Sequence, residues 1–306
     1  MKKNLLLFLS YSGHYFSSTN KICQKLADNS TCLDFSLRKF LISFFKQEPK
    51  IKFGVYTSRG THAIMNPVLV NFALDPDVNL HNSRKFNQVL NFKINERQLP
   101  FRVLNILNMP DNFCPNGSAL YSNYLFRFTH NQENNIFEYP ILSSLSSDVD
   151  IDNLESLINE LNIFSVENKF SMFSDDENFL RRKFQIEPLF MKLIKNSSGF
   201  FSDSKLSCRN YPIYTIELKN CPIYFGPLMY DFLNTILLNS KPESKSQFYE
   251  QFLKLIKHPN QDQSSFCIDD ANLNYAIKNL NGLFLTNVYY DKKILDHKTL
   301  KFLPIE

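Results

Sequence analysis

The chain has 306 residues, 43% of them hydrophobic and 21% charged, with a formal net charge of +4. That balance excludes an intrinsically disordered protein, and the length allows one large domain or two ordinary ones of about 100–200 residues each. A pI near 8.6 falls short of the strongly basic domain, with clustered Lys and Arg, that marks a nucleic-acid binder, so no nucleic-acid partner is expected.

The first element in chain order is a strand over residues 4–10, where Leu5 to Leu9 form an unbroken apolar run. The run is too short for a secretory signal, and no stretch approaches the roughly 18 apolar residues of a membrane helix, so no membrane span is expected. A loop at 11–14 follows, then a helix capped by Ser17 or Ser18 and running to about Asp28, with Ile22, Cys23, Leu26 and Ala27 on one face. A second strand is predicted over Lys52–Thr57. Pro67 breaks the apolar stretch after it, so a helix restarting near Pro67 is predicted there.

Residues 75–150 carry the weakest periodicity. A strand is predicted at 101–107, Asn116-Gly117 marks a turn, and the Ser- and Asp-rich stretch at 142–150 reads as a linker. That places an N-terminal lobe at 1–145 and a C-terminal lobe at 150–306. The second lobe opens with an amphipathic helix capped by Asp150 or Asp152, on which Ile151, Leu154, Leu157, Ile158 and Leu161 recur at helical spacing. A helix over 177–195, kinked near Pro188, comes next. It is followed by a strand pair at 211–218 and 221–229, turning at Lys219-Asn220, and by a helix over 244–258. The chain closes on a hairpin-like pair around a Lys292-Lys293 turn. Strands alternating with helices and then pairing among themselves define an α/β or α+β fold, a mixed sheet flanked by helices in two lobes.

Chemistry is bounded first by what is missing. The chain has no G-x-G-x-x-G, no Walker A loop, no G-x-S-x-G elbow, no H-E-x-x-H and no EF-hand loop, and no cofactor is expected. Cys23, Cys32, Cys114, Cys208, Cys221 and Cys267 contain no Cys-x-x-Cys pair, which argues against a zinc site and fits buried thiols in a reducing cytoplasm. His81, His130, His258 and His297 stand apart from other ligand-type residues. Arg181-Arg182-Lys183 follows Asp175-Asp176-Glu177 and reads as a solvated helix face.

Two loops remain as candidates for a ligand. Ser12, Gly13 and His14 lie between a strand and a helix N-terminus, where free N–H groups attract anions. Arg59 and His62 lie in a second Gly-containing loop after a strand. Together they read as an anion- or substrate-binding site at the carboxyl ends of strands. Two ordinary strand-to-helix turns are the alternative.

The segment from Tyr211 onward, with Tyr211–Leu218, then Gly226-Pro227-Leu228, then the 244–258 helix and a terminal strand pair, resembles ThiF-like subunits of bacteriocin-type thiazole/oxazole peptide maturation over about residues 205–306. Locally, Gly226 permits an unusual φ and Pro227 ends a buried strand. The chain departs from the family pattern after Gly226-Pro227-Leu228: Asp231-Phe232-Leu233-Asn234 stand where the family carries cysteines for zinc. The resemblance implies a non-catalytic subunit that binds a precursor peptide as an added sheet strand and presents it to a YcaO-type cyclodehydratase. The two Gly-containing loops imply instead a glycosyltransferase-like enzyme that uses a nucleotide-activated or other anionic donor.

Overall fold

The computed structural model describes residues 2–16, 19, 32–73, 83–129, 141–145, 149–168, 188–196, 212–226, 229–240, 277 and 281–291. Those residues form nine strands and four α-helices, a mixed α/β architecture of the α+β class. The chain divides into two compact units, Met1–Ser122 with Phe284–Glu306, and Asn123–Leu283. The stretch at 142–150 lies within the second unit, where Ser143 and Ser144 are buried in a strand.

The first unit contains β1 (Lys2–Tyr11), α1 (Leu33–Phe45), β2 (Lys50–Phe53), β3 (His62–Ala73), α2 (Ser83–Glu96) and β4 (Phe101–Asn108). Its strands follow the order β4-β1-β3, each neighbouring pair antiparallel. Leu5, Leu6, Leu7, Phe8 and Leu9 are all buried, so the central strand β1 has no face for water. Such a strand reads as a continuous apolar run rather than an alternating one.

β3 replaces the helix predicted near Pro67. It pairs with β1 along one side, Phe8 opposite Pro67. On its other side it pairs in parallel with the last strand, β9 (Leu283–Tyr290), at His62 and Ala63, and antiparallel with β2 from Val68 to Asn71. Pro67 stands between those two ladders. Its carbonyl accepts from the Gly54 N–H at 2.7 Å, so its missing N–H falls on the interrupted side and costs no ladder bond.

Helix α1, which the strand-centred reading of the sequence omits, buries Leu33, Leu37, Phe40 and Leu41. Phe40 meets Phe101 edge-on at 6.0 Å, and Phe45 lies 4.0 Å from Phe72. These rings supply core volume in a chain without tryptophan. α2 buries Leu90 and Ile94 and packs beside β4.

In the second unit, β5 (Ala119–Thr129), which spans the division, β6 (Ser143–Ser144), β7 (Phe190–Asn196) and β8 (Ile213–Cys221) accompany α3 (Ile151–Asn168) and α4 (Met229–Leu238). The strand order is β5-β8-β7, with β6 parallel to β5. Asp150 caps α3 as the sequence predicts: its Oδ1 accepts from the N–H groups of Asp152 and Asn153, both at 3.1 Å. β7 occupies the end of the predicted 177–195 helix, Pro188 and Leu189 before it are not helical, and residues 177–187 lie outside the described residues. β8 runs through the predicted turn at Lys219-Asn220 and takes β7 as its antiparallel partner. The segment predicted as a strand at 221–229 is a 3₁₀ turn at Ile223–Phe225 leading to α4, because Pro222 directly after Cys221 offers no N–H to extend a ladder. The helices predicted at 17–28 and 244–258 fall almost wholly outside the described residues, as does the partner strand expected beyond Lys292-Lys293.

One device recurs in both units. On β4, the Val103 N–H donates to Asn91 Oδ1 at 3.0 Å while Asn91 Nδ2 donates to the Val103 carbonyl at 2.7 Å. On β7, Met191 makes the same reciprocal pair with Asn162 of α3, both bonds at 2.8 Å. A primary amide carries a donor and an acceptor side by side, as a strand residue does, so each asparagine occupies one position of a strand edge. Asn91→Ala and Asn162→Ala each leave an edge N–H and C=O without that partner. Each is expected to lower stability by about 1–3 kcal/mol and to increase aggregation, read by thermal unfolding and light scattering.

Candidate functional site

Because β1 and β3 are antiparallel, the end of β1 and the start of β3 meet at one end of the first unit's sheet. The chain leaves β1 after Tyr11 and makes a 3₁₀ turn at Gly13–Tyr15. The turn before β3 is closed by the Thr61 N–H donating to the Ser58 carbonyl at 3.2 Å, with Gly60 at φ 76°, a left-handed value that favours glycine. The two turns touch: a Cβ on Gly13 would collide with the backbone of Gly60 and Thr61. This close approach accounts for glycine at position 13.

Three of the five sequence-predicted site residues, Ser12, Gly13 and His62, are therefore brought into contact. The Gly13 N–H donates to His62 Nδ1 at 3.2 Å, and Ser12 Oγ lies 3.5 Å from the same nitrogen. A backbone N–H can only donate, so Nδ1 is an acceptor and the ring proton of this neutral imidazole sits on Nε2. His62 is buried and stacks on Phe284 at 4.7 Å. Arg59 precedes Gly60 at the exposed tip of the second turn. His14 is exposed and meets Tyr15 edge-on. Ser12 is half-buried.

The arrangement differs chemically from an anion cradle at a parallel sheet. The Gly13 N–H is spent on His62. The loop carrying Arg59 leads into β3 of an antiparallel pair, so the rule that ligands sit beyond the carboxyl ends of parallel strands does not apply to it. The most exposed side chains of these turns are those of His14, Tyr15 and Arg59, with Ser12 and Ser58 partly exposed.

Beneath the turns lies a buried polar network that no local motif announces. The Tyr11 hydroxyl lies 3.0 Å from Thr57 Oγ1 and accepts from Asn66 Nδ2 at 3.2 Å. The same Nδ2 donates to the Val55 carbonyl, and the Val55 N–H donates to Asn66 Oδ1. Burial pushes the Tyr11 phenol up to about 12, its bonds to Thr57 and Asn66 opposing the shift, so the hydroxyl stays protonated and neutral. The network satisfies polar groups at the end of the core and holds the two turns from below.

Gly226, the glycine that carries the family resemblance, has φ −50° and ψ −51°. These are ordinary right-handed helical angles, so an unusual φ is not what places glycine there; Pro227 and Leu228 lie outside the described residues. Just beyond, α4 carries Asp231, whose carboxyl is pushed up to about 6 by burial. Among the described residues, no group of three or more His, Cys, Asp or Glu side chains is placed to hold a metal ion. No helix among them is long and apolar enough to cross a membrane.

The chain matches no protein-family model and no curated protein.

Asp231 gives a pH dependence whose sign follows from burial. Its folded pKa lies above its unfolded value, so the folded state holds the proton more tightly, and stability from this group falls as pH rises from about 4 to about 6. Asp231→Asn removes that slope. It is expected to raise stability at pH 7 by about 1–2 kcal/mol, the favourable α4 N-terminus offsetting part of the burial cost, while leaving stability near pH 4 almost unchanged; denaturant unfolding at both pH values measures it.

Proposed function

We propose that the chain is a non-catalytic subunit of bacteriocin-like peptide maturation that holds a precursor peptide for a YcaO-type cyclodehydratase, working in the cytoplasm. The resemblance over residues 205–306 supplies the biosynthetic setting. A docking role is supported by one observation: the helices and strands joined by Asn91 and Asn162 carry large apolar side chains exposed to water. Val89 and Phe92 stand about one turn apart on α2, with Leu104 exposed on β4. Ile163 and Val166 stand likewise on α3, with Phe190 exposed on β7. Phe92 is 65% exposed, and Ile163 and Val166 are each 61% exposed. Apolar residues grouped in this way mark a surface that another chain covers.

The asparagine clamps alter the binding mode that the resemblance implies. An added strand needs a run of free edge N–H and C=O groups. On β4 and β7 that run is interrupted at Val103 and Met191. Docking of the peptide's apolar side chains against α2 or α3 fits these edges better than strand addition.

Fluorescence anisotropy with a labelled leader peptide tests the reading. Binding with Kd in the range of about 1–50 μM is expected, weakened about tenfold or more by Val89→Ser/Phe92→Ser or by Ile163→Ser/Val166→Ser. No binding at about 100 μM, or binding indifferent to both double variants, overturns it.

A second reading is favoured by the contact between the Gly13 and Gly60 turns, which places His14 and Arg59 on adjoining exposed turns. A transferase with an anionic, nucleotide-activated donor would engage these side chains. Its mark is a thermal shift with sugar nucleotides that His14→Ala and Arg59→Ala remove, alongside no response to leader peptide.

A further inference from the structure

A cavity of about 340 Å³ in the second unit is lined by Ile151, Asp152 and Glu155 from the start of α3, by Leu193 and Lys195 from β7, and by Tyr214 from β8. Its floor follows from strand register. Leu193 and Lys195 are two residues apart and so share a face, and Lys195 stands directly opposite Tyr214 in the antiparallel ladder. Its wall follows from helix period, since Asp152 and Glu155 are three residues apart on α3. The clamp between Asn162 and Met191 holds the later part of the same helix against the same strand.

The charges around this half-open cavity are opposite in sign, and each is carried by a side chain exposed to water. Among the described residues, neither the Asp152 nor the Glu155 carboxylate, nor the Lys195 ammonium, makes a hydrogen bond or an ion pair. The orphan N–H groups at the start of α3 are already served by Asp150, so Asp152 is not needed as a cap. Two carboxylates one helical turn apart repel each other. A ligand cation between them relieves that repulsion, and the ammonium on the opposite wall calls for an anion. Tyr214 adds a buried ring fixed by stacking on Phe128 at 5.5 Å, while Ile151 and Leu193 add apolar surface. The volume lies at the small end of the roughly 300–1,000 Å³ range of ligand pockets.

We propose that this cavity binds a small zwitterion with an apolar side chain, a free amino acid or a dipeptide, its ammonium taken by Asp152 and Glu155 and its carboxylate by Lys195. This assignment is independent of peptide docking on the apolar faces of α2 and α3.

The test is a thermal-shift and calorimetric titration of the full chain with L-leucine and L-leucyl-L-leucine, beside N-acetyl-L-leucine, which lacks the ammonium, and L-leucinamide, which lacks the carboxylate. At least one zwitterion is expected to raise Tm at about 10 mM and to bind about tenfold more tightly than either singly charged analogue. Which zwitterion binds better identifies the source as amino acid or dipeptide. Glu155→Gln and Lys195→Gln, both exposed substitutions, are each expected to weaken binding about tenfold with the unliganded Tm unchanged. No shift with either zwitterion, equal binding of the analogues, or binding that survives both variants overturns the proposal.

Discussion

The first unit depends on the burial of β1 from both sides. Its five consecutive apolar residues, Leu5 to Leu9, leave no face for water, so partners are needed along both edges and layers on both faces. β3 and β4 supply the edges. α1, with Phe40 against Phe101, belongs to the covering layers. The polar end of the same strand then has to be managed where the apolar run stops at Tyr11. The network of Tyr11, Thr57 and Asn66 does so by pairing buried groups with one another, and the Gly13–His62 bond closes the turn above it. What the sequence presents as a ligand loop is also a structural closure, with its backbone donor already used.

The second recurring constraint is the sheet edge. An unprotected edge recruits other strands, and proteins blunt it by several devices. Here the same one operates twice: an asparagine on a helix imitates a strand residue and bonds both main-chain groups of Val103 or Met191. An edge occupied in this way is a poor template for any added strand. Beside the clamps, large apolar side chains stand exposed on α2, α3, β4 and β7.

The parts of the fold legible in the sequence share a physical property: their signal is local. β1 is an unbroken apolar run, β4 alternates, and α3 combines helical spacing with an aspartate cap that bonds as its position implies. The parts that are not legible depend on partners far along the chain. Pro67 argues against a strand until β3 is placed with its proline between two ladders. The run after Cys221 looks like a strand until Pro222 and the 3₁₀ turn redirect it into α4. In the candidate site, Ser12, Gly13 and His62 were recognisable as polar residues flanking strands. Asn66, Asn91 and Asn162 were not, because an asparagine in an asparagine-rich chain carries no mark of the backbone it will meet.

By itself, the sequence determined the class of the protein: a globular α/β mixture with a buried first strand, aromatic cores built on phenylalanine, and none of the common nucleotide or zinc loops. Those properties follow from composition and from periods of two and 3.6 residues, which act over a few positions. Tertiary structure alone decided which loops meet, which N–H groups remain available, and which charges stand unpaired around the cavity of Asp152, Glu155 and Lys195. Such pairings join residues far apart in the chain, as His62 and Phe284 are. They are set by strand register and helix docking, which no local pattern encodes.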